Sequence, residues 1–461
     1  MKRRAFIKGT ASLSLLPVVK PLAGLATQSR NMKIKIDHIA SDFERQPLVR
    51  PFGFKGGYLT ELWQAVSLIQ TAASGPKIGL ATQSVLYGDP AIFSDHSESA
   101  GNALMYALSE RALRLAKETP FHTPVDLLSD ILPEVTRYAA SVTGRGSANL
   151  NFIYNALVSV DNAAWLVYAS ENKCPHFDAM IPDAYKKPLG LRNPRIAVMY
   201  QIPYGMPMTD LVNAAEEGYF VFKIKTGMPG DQEQMLRSDM ERLDLIHRTL
   251  KDLRTPQTKD GRLIYTLDAN GRYGKKESLL KFLDHAKKIG AFEQIKLIEE
   301  PFWESNNETV GDVGVIIGAD ESVHTEADAI KRIQQGYKAI VLKGIAKTLS
   351  VSFKIAKVAY EHHVACMCAD LTVNPLLLDW HKNLAARLQP FPGIGMPMIE
   401  TNGDMNYKNW DLMKTFHPVQ NASWQQVKQG VFELDDDFYE RSGGIFMGTA
   451  HYEQLFHRKQ E

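Results

Sequence analysis

The sequence predicts an α/β protein: a (β/α)8-type barrel, a modified TIM barrel, carrying an N-terminal α+β capping domain. Three observations predict it. Eight short apolar runs lie between residues 195 and 401, most of them followed by an amphipathic helical stretch, the rhythm of strands and helices in a barrel. Five successive runs end in charged residues at their C-terminal tips, where barrels keep their chemistry. No Gly-rich phosphate loop follows the first run, which disfavours the open doubly wound sheet.

Taken in order, residues 1–26 read as an address. Arg3 and Arg4 stand together, a weakly apolar run follows through Leu13, Leu15, Leu16, Val18 and Val19, and Ala23-Gly24-Leu25-Ala26 supplies small residues for cleavage. The pattern resembles a twin-arginine export signal, which implies the twin-arginine machinery as a partner and a periplasmic or otherwise exported protein. The run is too short to span a bilayer and Lys20 interrupts it, so stable membrane insertion is not expected.

Residues 31–190 read as the capping domain. An alternating strand opens it at Lys33–Ile39, then Arg50–Gly57 mixes Pro, Gly and aromatics, which suggests a mobile loop able to close over a site. Strand-like runs continue over 58–93 and helices dominate 99–172, where Ala156, Val160, Ala163, Ala164 and Val167 share a packing face. After the Pro-, Lys- and Arg-rich linker at 182–195, the barrel spans 195–401. Its strand candidates are Ile196–Tyr200, Val221–Lys225, Leu263–Asp268, Ile295–Glu299, Val315–Gly318, Ala339–Lys343, Val364–Cys368 and Met396–Glu400. The aromatic-rich segment 402–461 is expected to return to the capping domain.

Composition narrows the function. With 461 residues, 44% hydrophobic and 23% charged, the chain has material for a large core. Its 53 Lys+Arg nearly cancel its 52 Asp+Glu, and removal of Lys2, Arg3, Arg4, Lys8 and Lys20 with the address would leave 48 against 52. Nothing here favours nucleic acid. Three cysteines, Cys174, Cys366 and Cys368, make neither a disulfide framework nor a Cys-rich zinc site.

The candidate site lies at the strand tips. Asp268, Glu299 and Asp320 come from three adjacent strands and can converge at the barrel mouth, where three anions repel unless a cation joins them. Without His or Cys the implied ion is hard, Mg²⁺ with Mn²⁺ as the alternative. Lys223 and Lys225 lie two apart on the second strand and face the same side. Lys225 is expected to act as the base, its ammonium destabilised by Lys223 and by burial; Lys343 approaches from the sixth strand. A metal-held carboxylate flanked by two lysines points to α-proton abstraction through a metal-stabilised enediolate, with return of the proton from the opposite face.

Together, Lys-x-Lys (Lys223, Lys225), Asp-x-Asn (Asp268, Asn270), Glu-Glu-Pro (Glu299 to Pro301), Asp-Glu-Ser (Asp320 to Ser322) and Lys343 resemble the enolase superfamily, and within it the muconate lactonizing enzyme subgroup. The resemblance implies Asp268, Glu299 and Asp320 as Mg²⁺ ligands and Lys225 and Lys343 as acid/base residues. The mandelate racemase subgroup, which uses a seventh-strand histidine, is less similar: that strand ends Cys368-Ala369-Asp370. Dipeptide epimerases of the resembled subgroup carry Asp-x-Asp near the eighth strand; this chain has Glu400-Thr401-Asn402-Gly403-Asp404 instead. Asn270, Glu321, Asp370, Glu400 and Asp404 are further candidates for contact with substrate.

The expected function is therefore racemisation or epimerisation of a small-molecule carboxylate, an amino acid derivative or dipeptide. A cycloisomerase or sugar-acid dehydratase using the same half-reaction is the alternative, and a non-catalytic periplasmic binding protein the second. A homo-oligomer is left open.

Overall fold

The computed structural model describes residues 33–54 and 57–457. The twin-arginine-type segment lies outside them, as do Lys55 and Gly56. Among the described residues no helix is long and apolar enough to cross a membrane.

The cap begins with an antiparallel sheet of β1 (His38–Phe54), β2 (Gly57–Gln70) and β3 (Lys77–Gln83). Three helices back it: Glu98–Glu118, Pro124–Thr143 and Leu150–Glu171. Thr123 starts the second with a capping box, its hydroxyl accepting from Asp126 N while Asp126 accepts from Thr123 N, which supplies partners for otherwise unpaired amides. The third helix is buried nearly all round, including Ala156, Val160, Ala163, Ala164 and Val167. It lies so close to β3 that a side chain at Gly79 would strike Ser159 O and Ala163 N.

Among the described residues of the expected loop at Arg50–Gly57, the chain is strand instead. Residues 50–54 belong to β1, which pairs with β2 from His38↔Gln70 through Pro47↔Glu61 and again from Phe52↔Leu59 to Phe54↔Gly57. The register shifts between Pro47 and Phe52, because Pro47 and Pro51 lack the N–H that an unbroken ladder needs. The outcome is a long bulged hairpin. Tyr407 fixes its base, accepting from Gln64 Nε2 at 2.8 Å and donating to Thr372 O at 2.5 Å.

Eight parallel strands then close into a barrel in sequence order: β4 (Arg195–Ile202), β5 (Val221–Lys225), β6 (Ile264–Asp268), β7 (Ile295–Glu299), β8 (Ile316–Ala319), β9 (Ala339–Leu342), β10 (Ala365–Cys368) and β11 (Met398–Glu400). Pairing of β11 with β4, Met398↔Ala197 to Glu400↔Met199, completes the ring. Each strand coincides with an apolar run of the sequence to within three residues at either end. β7 passes to β8 through irregular chain at 301–315 instead of a helix. Cys366 and Cys368 are buried in β10.

Beyond the barrel, β12 (Val427–Lys428) and β13 (Val431–Glu433) form a small hairpin whose second strand pairs antiparallel with β4. The segment also reaches the cap, through the Leu48↔Tyr407 bridge and a contact of His451 Nε2 with Glu44 at 2.9 Å.

Candidate active site

Strand register places the charged side chains in one layer. Lys225 pairs with Asp268 and Asp268 with Glu299, so three side chains at equivalent height project inward from three neighbouring strands. Asp320 and Lys343 follow directly on the ends of β8 and β9. Lys223, Lys225, Asp268, Glu299, Asp320 and Lys343 are all buried.

Burial on this scale requires pairing. Lys223 Nζ lies 3.0 Å from Asp268 Oδ2, 2.8 Å from Glu299 Oε2 and 2.9 Å from Glu400 Oε2. Lys225 Nζ donates to Asp268 Oδ2 at 2.5 Å and to Asn270 Oδ1 at 3.2 Å. Lys343 Nζ is 2.5 Å from Asp320 Oδ2, and Lys347 Nζ is 3.6 Å from Asp320 Oδ1. Lys343 also lies 4.9 Å from the centre of the Tyr87 ring.

These pairings set the protonation states. Burial alone would lower the Lys223 and Lys343 ammonium groups, but carboxylates outweigh it and raise both well above the usual lysine range. Asp268, Glu299 and Glu400 act on Lys223, and Asp320 leads for Lys343. Burial would likewise raise Asp268, yet Lys223 and Lys225 pull it below the normal carboxylate range. Glu299 goes the other way: burial and the charges of Asp268 and Asp320 raise it well above normal.

The last shift expresses burial first and crowding of like charge second. Among the described residues no three Asp, Glu, His or Cys side chains already enclose one point at ligating distance; ammonium groups compensate the carboxylates instead. The donor set nevertheless fits a hard divalent cation. It consists of carboxylates alone, all buried at neighbouring strand tips, and the positive charge beside Glu299 Oε2 and Asp320 Oδ2 comes from Lys223 at 2.8 Å and Lys343 at 2.5 Å.

The remaining predicted residues divide. Asn270 donates to Glu321 Oε1 at 3.0 Å, bringing both to the site. Glu400 joins through Lys223 and accepts from Gln201 Nε2 at 2.9 Å. Asp370 accepts from Leu371 N at 2.7 Å and Asn402 N at 2.8 Å, and burial, then the Glu400 charge, push its carboxyl up to about 7. All four line one cavity over the barrel mouth. Asp404 does not: it lies exposed on the short helix Gly403–Asn406, in a separate depression.

Sequence reasoning missed Gln201, Asn402, Lys347 and the wall residues. Gln201 stands near the tip of β4, where the strand-tip rule applied to neutral residues would have found it. Lys347, whose Nζ donates to Asp320 O and Val323 O, sits in irregular chain after β9 and carries no periodic signal.

No protein-family model matches the chain, and no curated protein matches its sequence. Solved structures do. A dipeptide epimerase from Enterococcus faecalis, complexed with Mg and the dipeptide L-Leu-L-Tyr, is 16% identical over 88% of this chain and 98% of that one, with a TM-score of 0.60. The L-Ala-D/L-Glu epimerase of Bacillus subtilis is 17% identical over 81% and 92%, with a TM-score of 0.59. A muconate lactonizing enzyme from Pseudomonas fluorescens, complexed with muconolactone, is 14% identical over 82% and 90%, with a TM-score of 0.57. This chain thus has the capped-barrel fold of solved enolase superfamily structures.

Proposed function

We propose that the chain is an isomerase of the enolase superfamily, a racemase or epimerase that removes and returns the proton α to a carboxylate. The observation that carries this reading is the placing of Lys225 and Lys343 on different strands around one carboxylate cluster, both lining a single cavity. Asp268, Glu299 and Asp320 would hold Mg²⁺. When bound, the ion would take the substrate carboxylate and offset the negative charge that builds as the α-proton leaves.

The chain's own residues supply the rest. Lys225, as free amine, accepts the proton at Nζ; Lys343, as ammonium, donates one at the other face of the carbon. Asn270 Oδ1 orients Lys225 Nζ, and Tyr87 lies against Lys343. Lys223 stays charged and holds Asp268, Glu299 and Glu400 together as their shared counter-charge in the low-dielectric layer. The hairpin of β1 and β2 sets Leu48, Phe52, Leu59 and Leu62 on the wall of the cavity. The Arg3-Arg4 start supports export, and the proposed site is the same on either side of a membrane.

The test is exchange in D₂O with Mg²⁺. Recovered substrate should carry deuterium at the α-carbon and become a mixture of epimers. Lys225→Ala and Lys343→Ala should each lose about 10²–10⁴-fold in exchange, each for the opposite antipode. A product of altered constitution with no label in recovered substrate would instead assign an eliminating or cyclising enzyme. Unchanged exchange in Lys225→Ala would end the assignment of the base.

A further inference from the structure

The cavity has two unlike walls. Its floor is the charged layer just described, whereas its roof is Leu48 and Phe52 of β1, Leu59 and Leu62 of β2, and Tyr87. Phe52 and Leu59 are cross-strand partners, so the bulged hairpin presents them together. Phe52 and Gln201 also border an adjoining groove along the hairpin, lined by Tyr58, Pro203, Tyr204, Met206 and Met405. Among the described residues the one charged side chain lining that groove is Arg50.

Acidic side chains do line the cavity below, but a donor already engages at least one oxygen of each of them. Asp268 accepts from Lys225, Glu400 from Lys223 and Gln201, Asp370 from the Leu371 and Asn402 amides, and Glu321 from Asn270. A substrate ammonium pointing away from the reacting carbon would meet an apolar roof and, further out, a guanidinium. Taking it from water there would cost several kcal/mol without a partner, whereas an apolar group gains by the same move.

Building on the α-proton reading above, we infer that the substrate's portion remote from the reacting carbon is uncharged and apolar, and that an ammonium there is rejected. The substrate class is a carboxylate acylated or otherwise capped on its α-substituent, not a free-amino dipeptide.

The test compares alanyl-leucine with N-isobutyryl-leucine, which differ in a methyl replacing the ammonium. Both are given to the full chain with Mg²⁺ in D₂O, and the leucine α-proton is followed by NMR. The capped compound should exchange at least about tenfold faster in kcat/KM, and Phe52→Asp, which puts a carboxylate into the roof, should narrow that ratio about tenfold or reverse it. Equal or faster exchange of alanyl-leucine, or an unchanged ratio in Phe52→Asp, overturns the inference while leaving the α-proton chemistry standing. If neither compound exchanges, thermal shift decides. Stabilisation by N-isobutyryl-leucine alone upholds the apolar pocket and sinks the chemistry; stabilisation by alanyl-leucine, or by neither, sinks the pocket assignment.

Discussion

Lys223 touches Asp268, Glu299 and Glu400, all within 3.0 Å and all buried. Its ammonium is the counter-charge for three carboxylates that cannot reach water. Lys223→Met keeps an unbranched side chain one atom shorter and removes that charge. Breaking a buried ion cluster by deleting one partner costs about 3–5 kcal/mol, so metal-free Lys223→Met should unfold at clearly lower urea concentration than the parent. Mg²⁺ should restore part of the loss, since it replaces the missing positive charge. An equal midpoint for parent and variant without Mg²⁺ would show that the carboxylates are already neutralised by their own protons. Asp268→Asn should act conversely, weakening Mg²⁺ binding by an order of magnitude or more in calorimetric titration; unchanged affinity would remove Asp268 from the ligand set.

At the level of elements, one contact joins a cap helix to a barrel helix. Asp161, in Leu150–Glu171, accepts from Ser350 N at 3.1 Å and Ser350 Oγ at 2.5 Å at the start of Leu349–Glu361, and Trp165 Nε1 donates to the same hydroxyl at 3.0 Å. A carboxylate at a helix N-terminus is ordinarily favourable, but here burial dominates and raises the Asp161 pKa from 3.8 to about 7. The folded state therefore binds this proton more tightly than the unfolded chain. The resulting stability is complete below about pH 4 and is lost as pH rises through about 7. Asp161→Asn has no such proton, so the stability of the parent relative to Asp161→Asn should decline between pH 5 and 8 in urea melts. A difference independent of pH would refute the linkage. That contact was invisible in the sequence, where Asp161 is one polar residue in an apolar helix. By contrast, Lys225, Asp268, Glu299, Asp320 and Lys343 were legible because each ends an apolar run, and the ring of strands fixes where run ends go. The hairpin was misread because Pro47, Pro51 and Gly53 signal a loop locally. It is the 14-residue partner β2, with Tyr407 far along the chain, that pulls the segment into a sheet.

For the molecule as a whole, one continuous hydrophobic cluster runs from Ile34 in the cap through the barrel to Tyr452 in the return segment. Polar contacts cross the same boundaries. Asn374, which caps the helix Pro375–Ala385, donates to Gln64 of β2 at 2.9 Å. Asp379 in that helix holds Lys382 at 2.5 Å and His417 Nε2 at 2.9 Å, and Trp424 Nε1 donates to it at 3.3 Å. The return segment therefore closes a core that the barrel shares with the cap. Trp424 is among the largest fully buried side chains, and Trp424→Ala should cost about 3–5 kcal/mol. Because the cluster is continuous, the loss should not stay local. Urea unfolding followed by far-UV circular dichroism, which reports all helices, and by hydrogen exchange of the cap helix Leu150–Glu171 should give one shared midpoint, shifted together in Trp424→Ala. If the cap helix kept its protection while the bulk signal fell, the contacts across the boundary would be too weak to couple the two. The roof over the site would then be free to part from the charged layer beneath it. A single midpoint means that the apolar roof and the lysine–carboxylate floor are held in register by the global stability of the fold.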